Sequence, residues 1–172
     1  MKRGIVVRAH SCTGKSHLGL NEKYKGKVLD LKSAPYRYLL SGKEQQQSLE
    51  SLKGSTQRQI NPDYPSNYFK AIKDAIKKFD FVLVSQWDAI EMCRRENIEY
   101  WLVFPSADQK EEYMTRALGR GNSQEFIERT NISFDKHMER YARDTSAKRK
   151  IVLKRGEYLE NALGDFLDST AR

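Results

Sequence analysis

Five short runs rich in β-branched and aromatic residues lie too far apart in the chain to be joined as hairpins: GIVVRA from residue 4, KGKVLDL from 25, DFVLVSQ from 80, EYWLVFPS from 99 and KIVLKRG from 150. Strands that cannot return through tight turns pair in parallel, through crossovers, and the stretches between these runs carry helical periodicity. Tyr68, Phe69, Ile72, Ala75, Ile76 and Phe79 make one apolar stripe; DAIEMCRRENI from 88, DQKEEYMTRALGRG from 108, NSQEFIER onward from 122 and EYLENALGDFL from 157 read as further helices. SHLGLNEKY, residues 16 to 24, reads as a helix behind the first strand, and Gly121 as a C-cap. DFVLVSQ is continuously apolar, as a strand covered on both faces is. The expected fold is α/β: a mainly parallel five-stranded sheet flanked by helices in three layers.

The 172 residues suit one domain. With 38% apolar and 31% charged residues, nine Tyr, seven Phe and two Trp, the chain is polar for a globular protein yet too aromatic for a disordered one. MKRGIVV sets basic residues before an apolar run that Arg8 ends, so neither a secretory nor a membrane-spanning segment is expected. Cys12 and Cys93 lack CxxC spacing and a Cys/His cluster, which argues against zinc and against a disulfide framework. A cytoplasmic location is expected. The net charge of +8 asks for an anionic partner, and a triphosphate and a nucleic acid satisfy it equally. Monomer and homodimer both stay open.

The first strand runs into AHSCTGKSHL. A phosphate-binding loop turns successive backbone N–H groups inward and adds an ammonium and a metal-ligating hydroxyl. In that reading His10, Ser11, Cys12, Thr13, Gly14, Lys15, Ser16 and His17 contact a bound nucleotide: Gly14 permits close approach, Lys15 reaches the β and γ phosphates, and Ser16 holds Mg²⁺. His10 and Cys12 act through their amides with side chains turned away, and His17 is an early helix residue. Ala9 stands where the usual pattern starts with glycine, tolerable if its methyl finds room. The second cationic stretch is VFPSADQKEEYMTRALGRGNSQEFIER, where Arg116 and Arg120 share a helical face and Arg129 follows in the next helix, a clamp for a transferring phosphoryl group.

The order Pro105-Ser106, Arg116, Arg120-Gly121, Glu125 and Arg129 resembles the guanylate kinase pattern PPS…RL..RG…E.VI..R. DLKS at 30 to 33 and INPDYPSNYF at 60 to 69 resemble DLDSS and RNPDFPNNYI, motifs of small bacteriophage proteins of the P-loop nucleoside monophosphate kinase group. The resemblance covers residues 4 to 160. It implies a P-loop NTPase fold, ATP and Mg²⁺ as cofactors, an acceptor-side insertion at about 33–67 and an arginine-bearing lid at about 108–145. Lys15, Asp30, Arg116, Arg120 and Arg129 would be catalytic. Asp30, Ser33, Asn61, Tyr64, Asn67, Tyr68 and Gln86 would face a nucleotide acceptor, with aromatic faces available for a base. Adenine would rest near Lys154 to Gly156, with Arg155 touching it.

This chain departs from the pattern in three places: Lys32 replaces the second acid, the Arg120-to-Arg129 segment is one residue short, and Ser85 and Gln86 stand where an acid normally follows the third strand. Asp80 falls at the other end of that strand. The leading expectation is an ATP-dependent phosphotransferase acting on a nucleoside or deoxynucleoside monophosphate. The alternatives are a kinase acting on a polynucleotide or a modified base in DNA, and a nucleotide-binding scaffold without turnover.

Overall fold

The computed structural model describes residues 3–39 and 59–169, so residues 40–58 of the expected acceptor-side insertion lie outside the described part. Five strands, β1 (Ile5–Ala9), β2 (Val28–Asp30), β3 (Phe81–Val84), β4 (Tyr100–Pro105) and β5 (Arg149–Leu153), form one all-parallel sheet in the order β2-β3-β1-β4-β5. The register sets Arg8 beside Val84 on one side and Leu102 on the other. β1 is central, and the expected α/β architecture is observed.

Alternation along the strands divides the interior in two. Val6, Val82, Val84, Tyr100, Leu102 and Phe104 face α3 (Ser66–Ala75), α4 (Trp87–Arg95), α5 (Lys110–Gly119) and α6 (Gln124–Arg143). Val7, Ala9, Phe81, Leu83, Trp101 and Val103 face α1 (Lys15–Leu20) and α7 (Leu159–Ser169), which contribute Leu18, Leu159, Leu163 and Leu167. Handedness explains the split. The β1-to-β2 crossover runs one way along the sheet, whereas those from β2 to β5 run the other, and right-handed crossovers in opposite directions fall on opposite faces. The chain leaves β1 toward β2 and β4 toward β5, so a crevice opens at their carboxyl ends.

The helix behind β1 is shorter than the sequence suggests: α1 ends at Leu20, and Glu22–Tyr24 form a separate 3-10 turn. Asn21 interrupts it, its side-chain oxygen accepting the Lys23 N–H at 3.0 Å. Gly121 behaves as expected, adopting φ 70° just past α5 and donating its N–H to Leu118 O at 2.9 Å. A short α2 (Ala34–Arg37) follows β2. Asp80 lies at the amino end of β3, as expected, its N–H on Lys27 O at 2.9 Å.

α6 is pinned at its carboxyl end. Asp144 is buried, and its carboxylate accepts from the Ser146 and Ala147 N–H groups at 2.9 and 2.8 Å, from Tyr100 Oη and from the Arg94 guanidinium of α4. Burial alone would raise its pKa; the Ala147 N–H, Arg94, Tyr100 and Ser146 bonds outweigh that and hold it below the ordinary carboxylate range. Among the described residues no helix is long and apolar enough to cross a membrane.

α1 approaches β2 so closely that a Cβ on Gly19 would lie 2.7 Å from Asp30 Cβ. Alanine in a helix ordinarily gains about 1 kcal/mol over glycine. Overpacking against a fixed Cβ costs about 1–3 kcal/mol, so Gly19→Ala is expected to destabilise the chain, measured as a lower denaturation midpoint with unchanged slope.

Candidate active site

The β1–β4 ladder ends with the His10 N–H on Val103 O at 3.0 Å. That amide is therefore committed to the sheet, which corrects the expectation that it faces a nucleotide. From Ser11 to His17, by contrast, no backbone N–H donates a hydrogen bond among the described residues. Seven consecutive amides are therefore without a partner among the described residues, as the donors of an anion nest would be. Two residues give the loop its curvature: Cys12 at φ 63° and Gly14 at φ 90° and ψ 25°. Gly14 needs the left-handed region, and a Cβ there would come within 3.2 Å of Tyr158 Cδ1. Thr13, fully buried, ties the turn through its Oγ1 bond to His10 O at 2.7 Å. The Ala9 methyl packs in the α1/α7 core with Leu18, so the departure from glycine leaves the loop intact.

Lys15 Nζ sits inside this loop, donating to Ala9 O at 3.0 Å and His10 O at 2.9 Å. Burial, helped by the charges of Arg8 and Arg120 and opposed by Asp30, pulls its pKa down to about 8. Ser16 Oγ donates to Asp30 Oδ2 at 3.1 Å, bringing a hydroxyl and a carboxylate together at the carboxyl ends of β1 and β2. Such hard oxygens suit Mg²⁺, although no group of three or more metal-ligating side chains occurs among the described residues.

A cavity of about 460 Å³ opens over the loop, with Gly14 and Ser16 in its floor and Arg116, Arg120 and Tyr158 in its walls. Arg116 is only 10% exposed and already engaged: its guanidinium donates to Cys12 O at 3.3 Å, to Glu157 O at 3.0 Å and to Glu112, and lies 4.1 Å from the Tyr158 ring centroid. It braces the loop and presents a cation–aromatic wall rather than standing free for a phosphoryl group. Arg120 caps α5 and is exposed at the cavity rim. Arg129 and Arg155 are elsewhere. Arg129 is exposed on α6 outside the cavity lining, and Arg155 donates to Asp108 O at 3.0 Å. The clamp of three arginines is not assembled in this conformation, because the face of α6 that packs inward carries Ile127 and Phe134 instead. His17, exposed on α1, lies 3.5 Å from Glu160.

The acceptor-side residues form a second cluster. Tyr64 Oη donates to Asp88 Oδ2 at 3.0 Å in the first turn of α4; burial first, then that carboxylate, pushes its pKa up to about 12. Asn61 holds a turn by accepting the Asp63 N–H at 3.0 Å, and Asn67 donates to Tyr36 O at 2.9 Å. Ser33 precedes α2, and Gln86 precedes α4 at the end of β3. Tyr68 is a core residue: fully buried, it donates to Leu31 O at 2.8 Å and offers no ring face to a base. Its place in the helical stripe, rather than its aromaticity, decides its role.

Three side chains escaped the sequence reading. Arg37 follows the Asp30–Ser33 motif, lies over the Tyr64 ring at 5.6 Å and keeps a buried Nε without a partner. Tyr158 covers Gly14. Arg8 is 4% exposed on the central strand, and a charge inside a run such as GIVVRA was the available signal.

No family model and no curated protein matches the chain. A crystal structure of an uncharacterized protein from Eubacterium ventriosum ATCC 27560 aligns over 98% of this chain and 99% of that one, at 12% identity and a TM-score of 0.44. A likeness that distant says nothing about chemistry.

His10 lies with its ring among Tyr113, Phe134, His137 and Tyr141, with Nδ1 3.3 Å from Tyr141 Oη. Burial, then Arg8, Lys15 and His137, drive its pKa down to about 2. The unfolded chain takes up that proton near pH 6.5 and the folded one does not, so stability is expected to fall as pH drops below about 6.5, by up to about 1.4 kcal/mol per pH unit for this site. Urea titrations at pH 7 and pH 5 test this, with His10→Phe expected to reduce the slope.

Proposed function

We propose that this chain is an ATP-dependent phosphotransferase whose acceptor is a nucleoside or deoxynucleoside monophosphate. The observation that carries this reading is the loop after β1, where seven consecutive amides lack partners among the described residues and the Lys15 ammonium is held on the Ala9 and His10 carbonyls. Such a cradle matches the oxygens of a polyphosphate, and little but an anion satisfies so many donors together.

In this reading the Ser11 to Ser16 amides take the β-phosphate oxygens, and Lys15 leaves the Ala9 and His10 carbonyls to follow the γ-phosphoryl group. Ser16 and Asp30 would hold Mg²⁺, which would offset negative charge on the polyphosphate. Arg116 and Tyr158 form the wall against which the adenine stacks. Arg120 reaches in from the rim to steady charge on the transferring group. Arg37, with its free Nε beside Tyr64, and Asp88, fixed by the Tyr64 hydroxyl, belong to the acceptor side. A cytoplasmic location, and a phage origin of the kind the motifs at 30–33 and 60–69 suggest, accompany this assignment.

Incubation with ATP, Mg²⁺ and a panel of nucleoside and deoxynucleoside monophosphates is expected to yield diphosphate from at least one acceptor. Lys15→Ala is expected to lower kcat/KM by about 10²–10³-fold while melting like the wild type. Because the free Lys15 ammonium titrates at about 8, ATP affinity is expected to weaken as pH rises past that value, and to lose this dependence in Lys15→Ala. Tight ATP binding with no product from any acceptor would leave a nucleotide-binding protein without turnover.

A further inference from the structure

Among the described residues, five of the buried polar atoms that lack a hydrogen-bond partner belong to one group of side chains around Arg8 and His10: Arg8 Nε and Nη1, His10 Nε2, Trp87 Nε1 and Tyr113 Oη; others, such as Arg37 Nε and Gln109 Oε1, lie elsewhere. Arg8 is the most costly of them. Its guanidinium lies 3.9 Å from the Trp87 ring centroid and 4.8 Å from that of Tyr141, and among the described residues no carboxylate pairs with it. Burial, then the charge of Arg140, lowers its pKa to about 9, so it remains a cation at neutral pH. Stacking satisfies the face of a guanidinium and leaves its in-plane N–H groups without acceptors. A buried charge held in this way is destabilising unless something supplies the missing anion.

The position of Arg8 points to that anion. Two residues on, the His10 carbonyl holds Lys15 Nζ. Trp87, stacked on Arg8, is followed by Asp88, which accepts from Tyr64 on the acceptor side. Arg8 thus adjoins the loop through the chain and the acceptor cluster through Trp87, which, half-buried, covers it, with half-buried His137 against the neighbouring His10 ring. Trp87 is itself flanked by Arg140 at 4.1 Å, so the cover is a second cationic layer rather than an apolar plug.

We propose that Arg8 is the binding residue of a separate anion subsite, which takes the monoester phosphate of the acceptor when the Trp87 cover shifts and so sets it against the donor cradle. This rests on the phosphotransferase reading. The planar fork of the guanidinium suits two phosphate oxygens, and the anion neutralises a charge the free protein leaves uncompensated.

Calorimetric titration of nucleoside monophosphates and of inorganic phosphate into the full chain, Arg8→Met, Arg8→Lys and Lys15→Ala tests the subsite. Arg8→Met removes the unpaired charge at similar volume; it is expected to melt no lower than wild type and to bind the preferred monophosphate at least about tenfold more weakly. Arg8→Lys keeps the charge without the fork and is expected to fall between them, so it carries the test if Arg8→Met does not fold. Lys15→Ala is expected to bind ATP more weakly and to keep monophosphate affinity within about threefold. Wild-type monophosphate affinity in Arg8→Met, or binding of inorganic phosphate with none of any monophosphate, overturns the proposal. Arg8-dependent binding without product would sink the phosphotransferase and leave the subsite standing; product formation with an unchanged acceptor KM in Arg8→Met would do the reverse.

Discussion

The hydrogen bond from the His10 N–H to Val103 O is where the sheet stops and the loop begins. Up to that rung, β1 is held between β3 and β4 and covered on both faces, so its backbone has no freedom and no unused donors. Beyond it the amides are unbonded through His17. Loop amides could not stay aligned without a rigid strand behind them and a helix anchored by Leu18 ahead of them. The Gly19–Asp30 approach adds a third point of attachment, setting the distance between the Ser16 hydroxyl and the carboxylate it meets.

The electrostatics of this edge run in one direction. Arg8, Lys15, Arg116 and Arg120 gather where Asp30 is the acid beside the loop, while Glu112 is held by Arg116 and the Gly156 N–H. The lowered pKa values of Lys15, His10 and Arg8 express the same fact: burial and mutual repulsion make each proton harder to keep. In its free form the protein holds a deficit of negative charge in a confined space, which is the condition under which a phosphorylated ligand gains most from entering.

The sheet was legible because each strand is a compact run of β-branched or aromatic residues, and a central parallel strand admits few alternatives. The loop was legible because Gly14, Lys15 and Ser16 follow such a strand directly. Other features lay beyond single-sequence reasoning for identifiable reasons. Tyr68 has the same residue type as Tyr64, and only packing against α4 and the sheet decides that one is core and the other half-exposed. Arg129 keeps the family spacing to within one residue, yet helical phase turns it away from the cavity. The Tyr64–Asp88 bond joins the motif at 60–69 to a residue of α4 that belongs to none, so no pattern announces it. The residues between 40 and 58 add nothing to either account.

The fastening of α6 sets its own mechanical rule. Asp144, Arg94, Glu91 and Arg140 lock the carboxyl end of this 20-residue helix to α4 and to the turn before β5, whereas its first turn is held chiefly by the Ser123 cap and Ile127. A helix of that length is a lever of roughly 30 Å, so a rotation of about 10° at the fulcrum would sweep the opposite tip through about 5 Å. The tip follows the Arg120–Gly121 end of α5 in the chain, and the second turn of α6 carries Arg129. Small adjustments beside Trp87 and Arg140 would therefore be magnified at the far end of α6, with the Asp144–Arg94 fastening as the pivot.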